Sequence, residues 1–258
     1  MAPILEAKNI SKHFRGLKAL VDYSLKLEKN VIDGLIGPNG AGKTTVFNVL
    51  TSIYLPSGGS IWLDGQEITG LNPDRVASRG IARTFQNLRL FNELTVIDNV
   101  LIGSQMHKQY NLFSTIACLP SFFKSEKALR EKAMGFLEVM GLAGEAGQAA
   151  GNLSYGDQRK LEIARALATE PKVLLLDEPA AGMNPRESKE LISTIRRIRD
   201  EFNLTILLIE HDMRVVMNLC EQIQVLSYGE IIAQGEPAAI QSNPQVIEAY
   251  LGRAATGA

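Results

Sequence analysis

Residues Gly37–Thr45 read GPNGAGKTT, and no other run constrains the fold as much. The run fits G-x-x-x-x-G-K-[ST], with Gly37, Gly42, Lys43 and Thr44 at the fixed positions. Val31–Ile36 before it is an apolar-rich strand candidate, and Thr45–Leu50 after it can open a helix. A strand that turns through such a loop into a helix begins a layered α/β unit. Gly37, Gly40 and Gly42 admit backbone conformations closed to other residues, so that N–H groups can converge on phosphate oxygens. The helix start adds about half a positive charge. Lys43 would reach the β- and γ-phosphates, and the Thr44 hydroxyl would ligate Mg²⁺. Asp33, an acid inside the leading strand, is expected to face solvent or a neighbouring segment.

Two further apolar runs end in charge. Val173–Leu176 closes on Asp177-Glu178-Pro179, and Thr205–Ile209 closes on Glu210-His211-Asp212. Continuous apolar runs read as buried parallel strands, whose carboxyl ends are where open α/β sheets bind ligands. Asp177 is the expected direct or water-mediated partner of Mg²⁺, and Glu178 the expected base for an attacking water. His211 could hydrogen-bond a γ-phosphate oxygen or hold that water. Gln86, after the short stretch Gly80–Ala82, could position water or Mg²⁺ and sense a partner. Just upstream of the acidic strand lies Leu153–Leu167, LSYGDQRKLEIARAL. Ser154 and Asp157 read as a capping box opening an amphipathic helix. Leu161, Ala164 and Leu167 share its inner face, with Arg159, Lys160 and Glu162 mostly off it.

The chain has 258 residues and a formal net charge of −1. That length can bury about three quarters of its unfolded surface. Near-zero charge leaves no basic stripe, which argues against nucleic acid as the main partner. Cys118 and Cys220 form no metal spacing and read as free buried thiols. No apolar run reaches membrane-spanning length, and MAPILEAKNI, which lacks a basic region followed by an apolar stretch, does not read as a secretion signal. Leu5–Ile10, Tyr23–Leu27, Ile61–Asp64 and Ile81–Thr84 read as strands, and Pro56–Ser60 as a turn. Between Gln86 and Gly151 strand signals fade, and Lys127–Met140 is helical, with Leu129, Ala133, Phe136, Leu137 and Met140 on one face. Pro185–Phe202 is a helix with Leu191, Ile195 and Ile198 inward. Gln222–Leu226 and Glu230–Gln234 form a hairpin around Tyr228-Gly229. Leu112–Phe123 is apolar and aromatic; it either packs inside a helical part or faces a membrane partner.

Phosphate loop, Gln, Ser-x-Gly helix start, acidic strand and His occur in the order found in the ATPase subunits of ATP-binding cassette (ABC) transporters, which the whole chain resembles. The resemblance implies a P-loop NTPase core with a mixed β-sheet, an antiparallel β subdomain and an inserted helical subdomain. The core would span residues 1–86 and 168–258, and the helical subdomain about 87–167 would carry the signature motif. Phe14 would stack on adenine. Gly37, Pro38, Asn39, Gly40, Ala41, Gly42, Lys43, Thr44 and Thr45 become the Walker A loop and Gln86 the Q-loop residue, near Mg²⁺. Ser154 and Gly156 become the signature residues, contacting ATP on a second subunit. Asp177 becomes the Walker B acid, Glu178 the catalytic base, Ala181–Asn184 the D-loop and His211 the switch histidine.

Three positions depart from the family pattern. Tyr155 and Asp157 replace Gly and Gln of the signature, and Asn184 replaces the D-loop Asp. Asn184 can still cap the next helix, with Pro185 first in it and Glu187 three residues on. With DEPAAGMNP, ILLIEHDM and the tail NPQVIEAYLG, these departures resemble the ATPase of bacterial branched-chain amino acid importers. That implies ATP and Mg²⁺ as ligands and a peripheral place on the cytoplasmic membrane face. Implied partners are transmembrane permease subunits, a second ATPase subunit (the same chain or a sister) and, indirectly, an extracytoplasmic substrate-binding protein. Importers of urea or short amides, lipopolysaccharide-export ATPases and soluble cassette ATPases are the alternative readings.

Overall fold

The computed structural model describes residues 2–107 and 120–251. Cys118 lies outside them, and of Leu112–Phe123 only the backbone from Pro120 onward is described. The chain forms two compact units, Met1–Arg83 with Lys172–Ala258, and Thr84–Pro171.

The first unit holds all the described strands. In chain order they are β1 (Leu5–Phe14), β2 (Leu17–Leu27), β3 (Ile32–Ile36), β4 (Gly58–Leu63) and β5 (Gln66–Glu67). Then come β6 (Ile81–Arg83), β7 (Val173–Asp177), β8 (Thr205–Ile209), β9 (Gln222–Ser227) and β10 (Glu230–Gly235). Antiparallel pairing gives one sheet of order β2-β1-β4-β5. The other has order β10-β9-β3-β8-β7-β6, parallel except for the antiparallel edge strand β10. The β7 and β8 residues are all buried, which explains their unbroken apolar sequences. The helices of this unit are α1 (Lys43–Leu50), α2 (Pro73–Arg79), α6 (Pro185–Phe202), α7 (Met213–Leu219), α8 (Pro237–Gln241) and α9 (Pro244–Leu251). Phe47 and Val46 of α1 join Leu5 and Leu20 of the antiparallel sheet and Leu35, Leu175 and Leu207 of the mixed sheet in one apolar cluster.

The amphipathic helix α6 buries Leu191, Ile195 and Ile198, as its spacing requires. Asn184 caps it with a full capping box, accepting from Glu187 N–H while Glu187 accepts from Asn184 N–H at 2.9 Å. The hairpin around Tyr228-Gly229 is also observed. Pro56–Ser60 is not wholly a turn, because Gly58–Ser60 pair with β1 and begin β4.

The second unit is helical: α3 (Val96–Ser104), α4 (Pro120–Val139) and α5 (Tyr155–Leu167). Val96 and Val100 of α3, Ala133, Phe136 and Leu137 of α4, and Leu161 and Ala164 of α5 are buried. Arg159 and Glu162 are buried too, at 0% and 2% exposure, which corrects the expectation that they lie off the inner face. They are paired, Nη1 to Oε2 at 2.8 Å, and charge on an inner face is tolerated only in such a pair.

Asp33 accepts from Gln222 N–H at 3.2 Å across the β3–β9 seam. Burial, with help from the Glu221 charge, pushes its carboxyl up to about 6 against the pull of that N–H. A raised carboxyl destabilises the folded state as pH climbs from the ordinary value through about 6. Asp33→Asn should therefore gain on the order of 1–2 kcal/mol at neutral pH, shrinking towards zero near pH 4, in urea denaturation. An equal gain at both pH values would rule out this origin.

Candidate functional site

The phosphate loop leaves β3 and enters α1. Gly37, Gly40 and Gly42 have φ of 151°, 78° and 109°. A Cβ on Gly37 would run into the Leu226 carbonyl of β9, so the loop passes flush against the neighbouring strand. No side chain caps the start of α1. The amide groups of its first turn are thus left for a ligand. Lys43 is buried, and its Nζ donates to Gly37 O at 2.6 Å and Pro38 O at 3.0 Å. Burial lowers its pKa, and the Glu178 and Asp177 charges oppose that. Thr44 is exposed beside it.

Strand register gathers the acids. Leu35 pairs with Ile209, and Ile209 with Asp177, so three strands end in one row. Asp177 is buried and accepts from Arg83 Nη2 at 2.6 Å. Arg83 Nη1 donates to Asn48 of α1, also at 2.6 Å. Arg83, from the end of β6, thereby ties the acidic strand to the helix that follows the loop. Glu178 has φ 48°, and its N–H donates to Ile209 O at 2.9 Å. A left-handed glutamate costs about 1 kcal/mol, strain of the kind that gathers at functional sites. His211 Nδ1 lies 3.5 Å from Glu178 Oε2 and 3.9 Å from Glu210 Oε2. Glu210 is buried and accepts N–H bonds from Ala180 at 2.8 Å and His211 at 3.1 Å. Burial raises its pKa against those bonds. Sequence reasoning passed over Arg83 and Glu210; a charge directly at the end of a short buried strand was their signal.

Phe14 packs edge-on against Tyr54, with ring centroids 5.1 Å apart. It also lines a cavity of about 290 Å³ with Lys18, Gly40, Gly42, Thr45 and Tyr228. A second cavity, of about 820 Å³, separates Pro38–Ala41 from Gln245, Glu248 and Ala249 of α9. Burial raises the pKa of Tyr250 of α9 and the nearby Gly37 N–H opposes that rise, so the tail comes close to the loop.

Gln86, Ser154 and Gly156 belong to the second unit. Ser154 caps α5, accepting from Asp157 N–H at 3.2 Å. The reciprocal half of the expected capping box is absent: Asp157 instead accepts the Ser154 hydroxyl at 2.7 Å and Lys160 Nζ at 2.9 Å. Burial opposes the ionised form of Asp157, but Lys160 and Ser154 outweigh it and hold its carboxyl low. Arg159 of α5 donates to Phe85 O at 2.6 Å, Gln86 O at 2.7 Å and Tyr155 Oη at 3.2 Å. Glu162 accepts from Phe85 N–H at 3.3 Å. The buried pair therefore grips the backbone at residues 85–86.

The donor chemistry of the first unit fits a nucleotide with Mg²⁺. It offers uncapped amides and a buried ammonium for anionic oxygens, with Thr44 and Asp177 as oxygen donors. Among the described residues, no cluster of three His, Cys, Asp or Glu could cage a metal. A hydroxyl and one carboxylate suit an ion that keeps most of its shell as water and phosphate oxygens, as Mg²⁺ does.

A family model described as ABC transporter matches residues 20–181. The chain belongs to the ABC transporter family. A second model, described as branched-chain amino acid ATP-binding cassette transporter, matches residues 230–256. The chain is 48% identical over 252 residues to the high-affinity branched-chain amino acid transport ATP-binding protein BraF of Pseudomonas aeruginosa, covering 98% of this chain and 99% of that protein. Identity and coverage are the same with LivG of Escherichia coli, which carries the same description. Among solved structures, the ADP conformation of an ATP-binding cassette of an ABC transporter superposes with a TM-score of 0.85 at 34% identity, covering 98% of this chain and 100% of that one. These matches bear out the P-loop ABC fold expected from the motifs. No helix among the described residues is long and apolar enough to cross a membrane.

Arg159→Ala should destabilise the second unit by about 3–5 kcal/mol in denaturant unfolding, because Glu162 is left as a buried unpaired charge. A change below about 0.5 kcal/mol, the size of an ordinary surface substitution, would mean the pair is not what holds residues 85–86.

Proposed function

We propose that the chain is the ATP-binding and ATP-hydrolysing subunit of an ABC importer for branched-chain amino acids. The observation that carries the catalytic half is the row of strand ends. It puts the uncapped loop helix, Asp177, Glu178 and His211 on one edge of one sheet. The cargo rests on the identity with BraF and LivG across nearly the full chain.

In this reading the phosphates lie over Gly37–Thr45, and Lys43 exchanges its loop carbonyls for β- and γ-phosphate oxygens. Phe14 stacks on the adenine. Thr44 and Asp177 would hold Mg²⁺. When bound, that ion neutralises charge on the phosphate oxygens. Glu178 takes a proton from the attacking water, and His211, within reach of Glu178, orients it. Ser154 and Gly156, at the N-terminus of α5, present amides and a hydroxyl to the nucleotide of a second ATPase subunit. Two subunits then complete each other's sites. Closure on ATP and reopening after hydrolysis pass through the Gln86 region to the membrane permease. A substrate-binding protein on the far side delivers the cargo. The subunit lies peripherally on the cytoplasmic face. Within it, the helical unit serves as the part that carries the signature.

Glu178→Gln should keep ATP affinity and form a stable ATP-bound dimer on a sizing column. Its steady-state turnover should fall by about 10²–10⁴-fold. Undiminished hydrolysis would remove Glu178 from the base role. For the cargo, the tagged chain should be purified from membranes with its bound permease subunits and reconstituted. ATP turnover should then rise with a binding protein loaded with leucine, isoleucine or valine. Stimulation by a urea-loaded protein alone, or by nucleic acid, would sink this half of the proposal.

A further inference from the structure

Tyr228 is the most exposed large apolar side chain among the described residues, at 92%. It sits in the turn between β9 and β10 with φ 47°. That left-handed conformation suits Gly, Asn or Asp and is uncommon for an aromatic residue. The turn is held firmly. Gly229 N–H donates to Ala41 O of the phosphate loop at 2.9 Å, and Gly229 O accepts from Val21 N–H of β2 at 3.0 Å. The ring thus serves neither the backbone nor a core. It bounds the cavity of about 290 Å³ that Phe14, Lys18, Gly40, Gly42 and Thr45 also line. That volume is near the lower end for small-molecule sites and suits one end of a nucleotide rather than the whole.

We propose that Tyr228 is a second nucleobase contact. Its ring and that of Phe14 bound the space taken by the base, while the phosphates lie over the loop that Gly229 clamps. The proposal rests on the reading of Gly37–Thr45 as the nucleotide's phosphate loop. Every base offers a π-face, so such a contact favours nucleotides over bare phosphates with little preference among bases.

The test is calorimetric titration of the full chain with ATP and with inorganic tripolyphosphate, which has the phosphates and no base. Tyr228→Asn and Tyr228→Gly remove the ring while suiting the turn, so their melting temperatures should match or exceed wild type. Both should bind ATP about tenfold more weakly and tripolyphosphate unchanged, and Tyr228→Phe should bind ATP as wild type does. Wild-type ATP affinity in the folded Asn and Gly variants overturns the contact and leaves the phosphate-loop reading standing. An equal loss for both ligands also overturns it, because the ring would then prop the loop. Failure of the wild-type chain to bind ATP, or unchanged ATP affinity in Lys43→Ala, strikes the phosphate-loop reading itself.

Discussion

The site depends on the register of three parallel strands. Leu35 of β3, Ile209 of β8 and Asp177 of β7 stand in one row. The segments beyond the three strands must therefore leave the sheet at the same level. They are a glycine-rich loop, a Glu-His pair and a left-handed glutamate. Apolar packing contributes to that register, since β7 and β8 are buried throughout and a slip would force the side chains on both faces to repack. The chemistry of the edge therefore depends on hydrophobic residues several positions away. Arg83 adds a polar restraint from β6, reaching both Asp177 and Asn48.

The edge also concentrates opposing electrostatic demands. Burial among loop carbonyls lowers the Lys43 pKa, and the Glu178 and Asp177 charges oppose that shift. Glu210 is buried among amides that favour its ionised form while desolvation opposes it. Both groups make their bonds to the backbone, Lys43 to carbonyls and Glu210 to amides.

Much of this was legible in the sequence because the strongest signals are local. The phosphate loop, the apolar strands that end in acids, the Asn184 cap and the Tyr228-Gly229 hairpin all declare themselves within a few residues. Other features depend on distant partners. Arg159 and Glu162 look like surface charges on a helical wheel, and only the backbone at 85–86, more than seventy residues earlier, makes their burial tolerable. Arg83 reads as the end of an ordinary strand until Asp177 and Asn48 are beside it. The approach of Tyr250 to Gly37 joins opposite ends of the chain, which no periodicity encodes. Helix α3 was missed although Thr95 accepts from Asp98 N–H as its cap. That Thr-x-x-Asp spacing was readable, but the helix is too short for its periodicity to stand out.

The grip of Arg159 and Glu162 on residues 85–86 has a mechanical consequence. A loop held by one exposed hydrogen bond can swing on its own, and salt or temperature loosens it gradually. Here the restraint is a fork of bonds to consecutive peptides from a pair sealed away from water. Ionic strength barely reaches such a pair. The start of α5 and the Gln86 peptide are thus joined by several bonds at once. The two can come apart only by opening the pair altogether, so the linkage is either intact or broken.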